Sequence, residues 1–195
     1  GCEADDIIAL VAQLYRNLKQ DVVIMSSDKD FYQLVDERIS IFSTTSNAKH
    51  RHITHLNMVE CKGLRPDQWL EFRAMMGDAS DNIPGVYGVG EGTALKIMQK
   101  FGNVEAFYQA VNAGEHKPNQ WEKKMFAEGA RESFDRSKKM MNLTAGEVAA
   151  DLRKAKQYVN DTPDKEKVLD LFIEYELFSI IDTFEIWLGA FPAFK

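Results

Sequence analysis

The sequence predicts an α/β core followed by a helical region, and three observations carry that reading. "DVVIMSS" (21–27) is a short continuous apolar run, the mark of a buried, parallel strand. A helix–strand–helix–strand rhythm runs through residues 1–80, as an α/β core requires. Beyond Asp81 the character changes to helices joined by short turns.

The elements follow in order. Residues 5–20 read as a helix, because Ile7, Val11, Leu14 and Leu18 recur at helical spacing. Acids fill its first turn, where the macrodipole favours them. The strand at 21–27 comes next, and "RISIFS" (38–43) is a second. "PDQWLEFRAMMG" (66–77) is a helix with Pro66 near its first turn and Gly77 after its end. Further helices are expected at 91–101, 103–112 and 120–142, with "NAGEHKPNQ" as a loop before the last. "DKEKVLDLFIEYELFSII" (164–181) is helical and puts Val168, Leu171, Phe172 and Tyr175 on one face. The apolar tail "GAFPAFK" reads as docked. Three segments result: 1–80, 81–145, and 146–195 packing back on the core.

The chain has 195 residues, 45% hydrophobic and 28% charged, a composition that excludes disordered and fibrous classes. It has no signal-peptide pattern and no apolar run near the roughly 20 residues of a membrane span. Cys2 and Cys61 lack metal-type spacing, which fits a reducing, cytoplasmic setting. The net charge of −6 conceals blocks of −5 (1–37), +4 (38–66), −3 (67–90), +2 (91–140) and −4 (141–195). Such alternation, more than the total, bears on binding to nucleic acid. The sequence opens without Met, already inside an acidic motif, and is expected to be a piece of a larger polypeptide or a cleaved product.

Three acidic clusters carry chemistry: Glu3, Asp5 and Asp6 at a helix start, Asp28 and Asp30 after a strand, and Asp78 and Asp81 in a segment resembling a helical turn. Spacings of two in extended chain and three in helical chain each point the acids one way. Open α/β sheets build sites at the ends of their strands. Seven converging carboxylates cannot all stay ionised unless a cation joins them. With no His or Cys among them, two hard ions, Mg²⁺ or Mn²⁺, fit better than zinc. Such a pair about 4 Å apart clamps the attacking and leaving oxygens of a phosphodiester. Taken singly, the same acids also read as helix caps or a solvated turn.

"GVYGVGEGTALKIMQKFG" (85–102) sets Gly85, Gly88, Gly90 and Gly92 before a helix, a phosphate-binding arrangement. No Lys-Ser/Thr follows the last glycine and no strand precedes the first, which excludes a P-loop and a dinucleotide fingerprint. A hairpin gripping a nucleic-acid backbone remains, helped by Thr93, Lys96 and Lys100; tight turns for packing explain the glycines equally. "AKHRHITH" (48–55) reads as a solvated or phosphate-facing basic loop; a zinc site there lacks an evident fourth ligand. Lys123, Lys124, Lys138 and Lys139 lie on a mixed-charge helix face able to follow a DNA strand.

"GCEADDIIA", "VVIMSSDKDFYQLV" and "MGDASDNIPGVYGVGEGTALKIMQKFG" together resemble the 5′-nuclease, or flap endonuclease, family. The likeness runs in register from residue 1 to about 110. It implies a Rossmann-like (PIN-like) nuclease core, incomplete at its N-terminus, with a helix-three-turn-helix that grips duplex DNA. It also implies structure-specific hydrolysis of 5′ flaps and 5′ ends of DNA, with RNA primers as further substrates. Glu3, Asp5 and Asp6 would serve the first metal, Asp28 and Asp30 would sit at or between the two, and Asp78 and Asp81 would serve the second. Gly85, Gly88, Gly90, Thr93 and Lys96 would hold the duplex, with K⁺ on the carbonyls of Val86 and Val89. Relatives commonly carry Lys where this chain has Gly92. They also carry a further N-terminal part with the first strand, more Asp ligands and an arch contacting the scissile phosphate, so that part and a DNA polymerase are implied partners. A non-catalytic duplex-binding fragment is the alternative.

Overall fold

The computed structural model describes residues 3–44, 51–143, 164–175, 178–181 and 184–185. Helix α1 (Ala4–Asn17) is capped by Glu3, whose amide donates to Asp6 Oδ2 at 3.1 Å. The helix stops short of residue 20 because Lys19 turns to φ +61°. Its buried residues are Ala9 and Ala12, whereas Ile7 and Leu18 are exposed. The helical period is as expected, but the face that meets the core is the alanine face, since small side chains let the helix sit close.

Strand β1 (Val22–Met25) pairs in parallel with β2 (Ile39–Phe42), in register from Val22–Ile39 to Met25–Phe42. Their connection carries a 3-10 helix (Asp30–Leu34) that buries Phe31, Tyr32 and Leu34. A two-residue strand β3 (His52–Ile53) adds antiparallel to β2, making a mixed three-stranded sheet in the order β1-β2-β3. Part of the expected basic loop is therefore sheet: Ile53 is fully buried and His52 Nε2 lies 2.9 Å from Ser40 Oγ. Lys49 and His50 lie outside the described residues.

After a short α2 (Met58–Lys62), helix α3 (Pro66–Met76) runs between its expected signals and buries Trp69, Phe72, Arg73, Ala74 and Met75. The segment from Asp78 to Ile83 is not a helical turn. The two residues exchange both backbone hydrogen bonds at 2.8 Å, and Asn82 takes φ +56° to close the loop. Helices α4 (Glu91–Phe101) and α5 (Val104–Asn112) match their expected spans within a residue, the latter capped by Asn103 Oδ1. The single helix expected at 120–142 is two elements: a 3-10 helix (Glu122–Phe126) and α6 (Ala130–Met141). Gly129, at φ +74°, breaks the helical path between them. One hydrophobic cluster from Ala9 to Phe134 joins the sheet to these helices, and α6 packs along α3.

Residues 150–195 form a second compact unit. In it α7 (Lys165–Glu174) is capped by Asp164, and α8 (Phe178–Ile181) follows. Phe172 packs edge-on to Phe184 with ring centroids 5.9 Å apart. Val168 joins them, but Leu171 and Tyr175 are exposed, so only half of the expected apolar face is covered. The tail 189–195 lies outside the described residues. Among the described residues no helix is long and apolar enough to cross a membrane.

Candidate metal centre

Six of the seven predicted acids line one cavity of 370 Å³: Glu3, Asp5 and Asp6 from the start of α1, Asp28 and Asp30 after β1, and Asp81. Its apolar wall is Ile83, Met140, Met141 and Leu143. Asp28 and Asp30 meet there through a turn rather than by extended alternation. The Asp28 amide donates to Ser26 Oγ (3.0 Å), and Asp28 Oδ1 accepts from the Asp30 amide (2.8 Å), which opens the first 3-10 helix.

Asp78 is placed differently. It is absent from the cavity wall; its Oδ2 accepts from Arg73 Nη2 at 2.5 Å, and its Oδ1 accepts from the Ser80 amide (2.9 Å) and hydroxyl (2.5 Å). Arg73, nearly buried on α3, reaches the other way to Asp30 Oδ1 through Nε at 2.7 Å. Sequence reasoning missed Arg73. Its only signal was its place as the single basic residue of block 67–90, in the last turns of a helix ending just before Asp78.

The electrostatics record the crowding. Burial, then the charges of Asp28, Glu3, Asp30 and Asp6, raise the Asp5 carboxyl above its ordinary range. Burial also raises Asp30, against the opposing pull of Arg73. Asp78 is lowered to about 2 by hydrogen bonds from Ser80 and Arg73. The donor set is all oxygen and its like charges are uncompensated at Asp5, which fits a hard divalent cation. As the side chains stand, no three acids among the described residues converge closely enough to hold one. One oxygen of each of three acids is already engaged: Asp30 Oδ1 by Arg73, Asp6 Oδ2 by the Glu3 amide and Asp28 Oδ1 by the Asp30 amide.

The glycine turn leads from Ile83 into α4. Val86 and Val89 are pins, 3% and 4% exposed, and the Val86 carbonyl accepts from the Val89 amide at 3.0 Å. Gly85 is buried, with its amide on Ser137 Oγ (3.1 Å) and its carbonyl on Ser133 Oγ (2.5 Å). That backbone is committed to α6, so of the predicted phosphate contacts Gly88, Gly90 and Lys96 are exposed and Gly85 is not. Thr93 is half-buried. Beside the turn a 430 Å³ cavity is lined by Tyr87, Lys124, Gly129 and Arg136 among others. Lys138 is paired with Glu71 (2.6 Å) and is not a free cation, whereas the exposed Lys100 Nζ lies 2.9 Å from His116 Nδ1, a contact that leaves its charge uncompensated.

Residues 64–165 match the family model described as "5'-3' exonuclease, C-terminal SAM fold", and residues 1–62 match "5'-3' exonuclease, N-terminal resolvase-like domain". The chain belongs to the 5′-3′ exonuclease family. Its sequence is 34% identical to the thermostable DNA polymerase I of Thermus thermophilus over 98% of this chain and 22% of the polymerase. It is 33% identical to DNA polymerase I of Deinococcus radiodurans over 92% of this chain and 18% of that protein. Among solved structures, a T5 5′-exonuclease mutant superposes with a TM-score of 0.60 at 28% identity, over 73% of this chain and 56% of that one. A T5 flap endonuclease in complex with DNA and metal ions gives 0.61 at 27% identity, over 73% and 50%. T5 5′-exonuclease is also known with divalent zinc bound (0.61, 29% identity, 73% and 51%). The chain thus spans about a fifth of these polymerases and about half of the T5 nucleases. The resolvase-like and SAM-fold assignments agree with the mixed sheet and the helices after it.

Proposed function

We propose that this chain carries the metal-binding and duplex-binding parts of a structure-specific 5′-nuclease that hydrolyses DNA phosphodiesters at 5′ flaps and 5′ ends, with RNA primers as further substrates. The observation that carries it is the single acidic cavity assembled from three separate sequence clusters. Glu3, Asp5, Asp6, Asp28, Asp30, Asp78 and Asp81 would hold two Mg²⁺ or Mn²⁺ ions. When bound, such ions supply electrostatic stabilisation of the charge that develops on phosphate oxygens. The carboxylates orient and hold; none attacks phosphorus. Gly88, Gly90, Thr93 and Lys96 grip the duplex backbone, Gly85 shapes their turn, and K⁺ sits at the carbonyls of Val86 and Val89. The setting is the cytoplasm of a bacterial or phage-infected cell, with a DNA polymerase as partner.

Cleavage of a 5′-flap substrate in Mg²⁺, by the chain alone and with an added N-terminal nuclease part, tests the reading. Asp28→Asn, Asp78→Asn and Asp81→Asn are each expected to abolish cleavage while duplex binding, read by fluorescence anisotropy, changes little. Equal loss of both in all three would contradict the role assigned to the acids. The alternative reading is a duplex-binding part that cuts only together with an N-terminal nuclease part. Cleavage that appears only on adding that N-terminal part would establish it.

A further inference from the structure

We propose that Arg73 is a resident counter-cation of the acidic centre, holding Asp30 and Asp78 in the metal-free protein and yielding them when a divalent ion enters. This rests on the metal-site reading above. One guanidinium bridges two acids 48 residues apart, at 2.7 Å to Asp30 and 2.5 Å to Asp78, with its side chain 9% exposed. Asp30 faces the acidic cavity and is also Arg73's partner, so metal and guanidinium compete for the same carboxylate. A lone positive side chain is costly to bury, and its position is stabilised here by two charge-assisted hydrogen bonds.

Arg73 also has somewhere to go. Arg73 lines a second cavity, of 280 Å³, together with Tyr32, Trp69, Phe72, Glu91 and two further cations, Lys29 and Lys62; Lys62 Nζ lies 4.7 Å from the Tyr32 ring centroid. Movement into that space would free both carboxylates and set the guanidinium beside Glu91, Trp69 and Phe72, with Lys29 and Lys62 opposing it by like charge. Arg73 is therefore a positioning residue: it bridges the two acids and screens their repulsion when no metal is present, and its departure is part of metal binding.

The test uses the full chain, Mn²⁺ as probe, and two readouts: calorimetric Kd and thermal unfolding with and without the ion. Arg73→Gln is expected to lower the metal-free Tm and to bind Mn²⁺ about tenfold more tightly, since a competing positive charge has gone. Mn²⁺ then raises the Tm of Arg73→Gln more than that of the wild type. Arg73→Lys, which keeps the charge, is expected to restore the wild-type Kd; this separates competition from damage to folding. Mn²⁺ uptake by both proteins with Arg73→Gln binding equally or more weakly would overturn the role of Arg73 and leave the metal-site reading intact. Absence of uptake by the wild type and by both variants would overturn the two together.

Discussion

Asp5 and Asp78 are both aspartates of the same acidic region, and their surroundings push them in opposite directions. Asp5 is raised, so its ionised form weakens the fold at neutral pH, and the loss is recovered as pH falls through its folded value. Asp5→Asn is therefore expected to raise the metal-free Tm at pH 7 while reducing divalent uptake; a lower Tm would contradict the crowding. Asp78 is depressed to about 2 from 3.8, so its contribution is fully present above pH 3.8 and disappears as pH falls towards 2. Urea midpoints between pH 4.5 and 2 are expected to fall less steeply in Asp78→Asn than in wild type. The two acids were legible in the sequence as candidate ligands, but their different partners were not. Arg73 lies on another element from Asp30, and a lone arginine in a helix reads as a surface side chain whose stem packs inward.

Turn chemistry decides more at the scale of elements than propensity does. Gly77 and Gly85 both have positive φ, and a Cβ on Gly85 would lie 2.4 Å from the Gly77 amide nitrogen. Gly85→Ala is expected to cost about 3 kcal/mol or more in urea unfolding, because both backbone strain and overlap oppose it. Gly92, inside α4, has open space where a Cβ would go. Gly92→Lys in this first turn is expected to change stability by less than about 0.5 kcal/mol, the propensity gain being offset by a cation at the positive end of the helix dipole, and to steepen the salt dependence of duplex binding by about one unit of slope. An unchanged slope would place Gly92 away from the phosphates. The helices with strong signals at both ends were readable: Pro66 and Gly77 bound α3, and Gly90 and Gly102 bound α4. Strand β3 was not, because two residues are too few for alternation to show. The break before α6 was missed because Gly129 in a charged run looks like a tolerated helix glycine until its φ is known. The turn from Asp78 to Ile83 was misread as helical for the same reason, since pairing between its ends is invisible in a spacing.

Across the whole molecule, the acidic blocks and the basic ones serve different surfaces: the blocks at 1–37 and 67–90 supply every carboxylate of the cavity, and exposed cations such as Lys96 and Arg136 lie after it in the chain. The fold lines one cavity with acids from three parts of the sequence, and binding of one ion by them is the proposal that remains to be measured. Titrating the metal-free chain with Mn²⁺ by isothermal calorimetry, beside Asp28→Asn and Asp81→Asn, tests that binding most directly. Saturable uptake by the wild type, weakened at least tenfold by either substitution (about 1.4 kcal/mol or more), is the expected result. Wild-type heats indistinguishable from dilution, or uptake untouched by both substitutions, would contradict it.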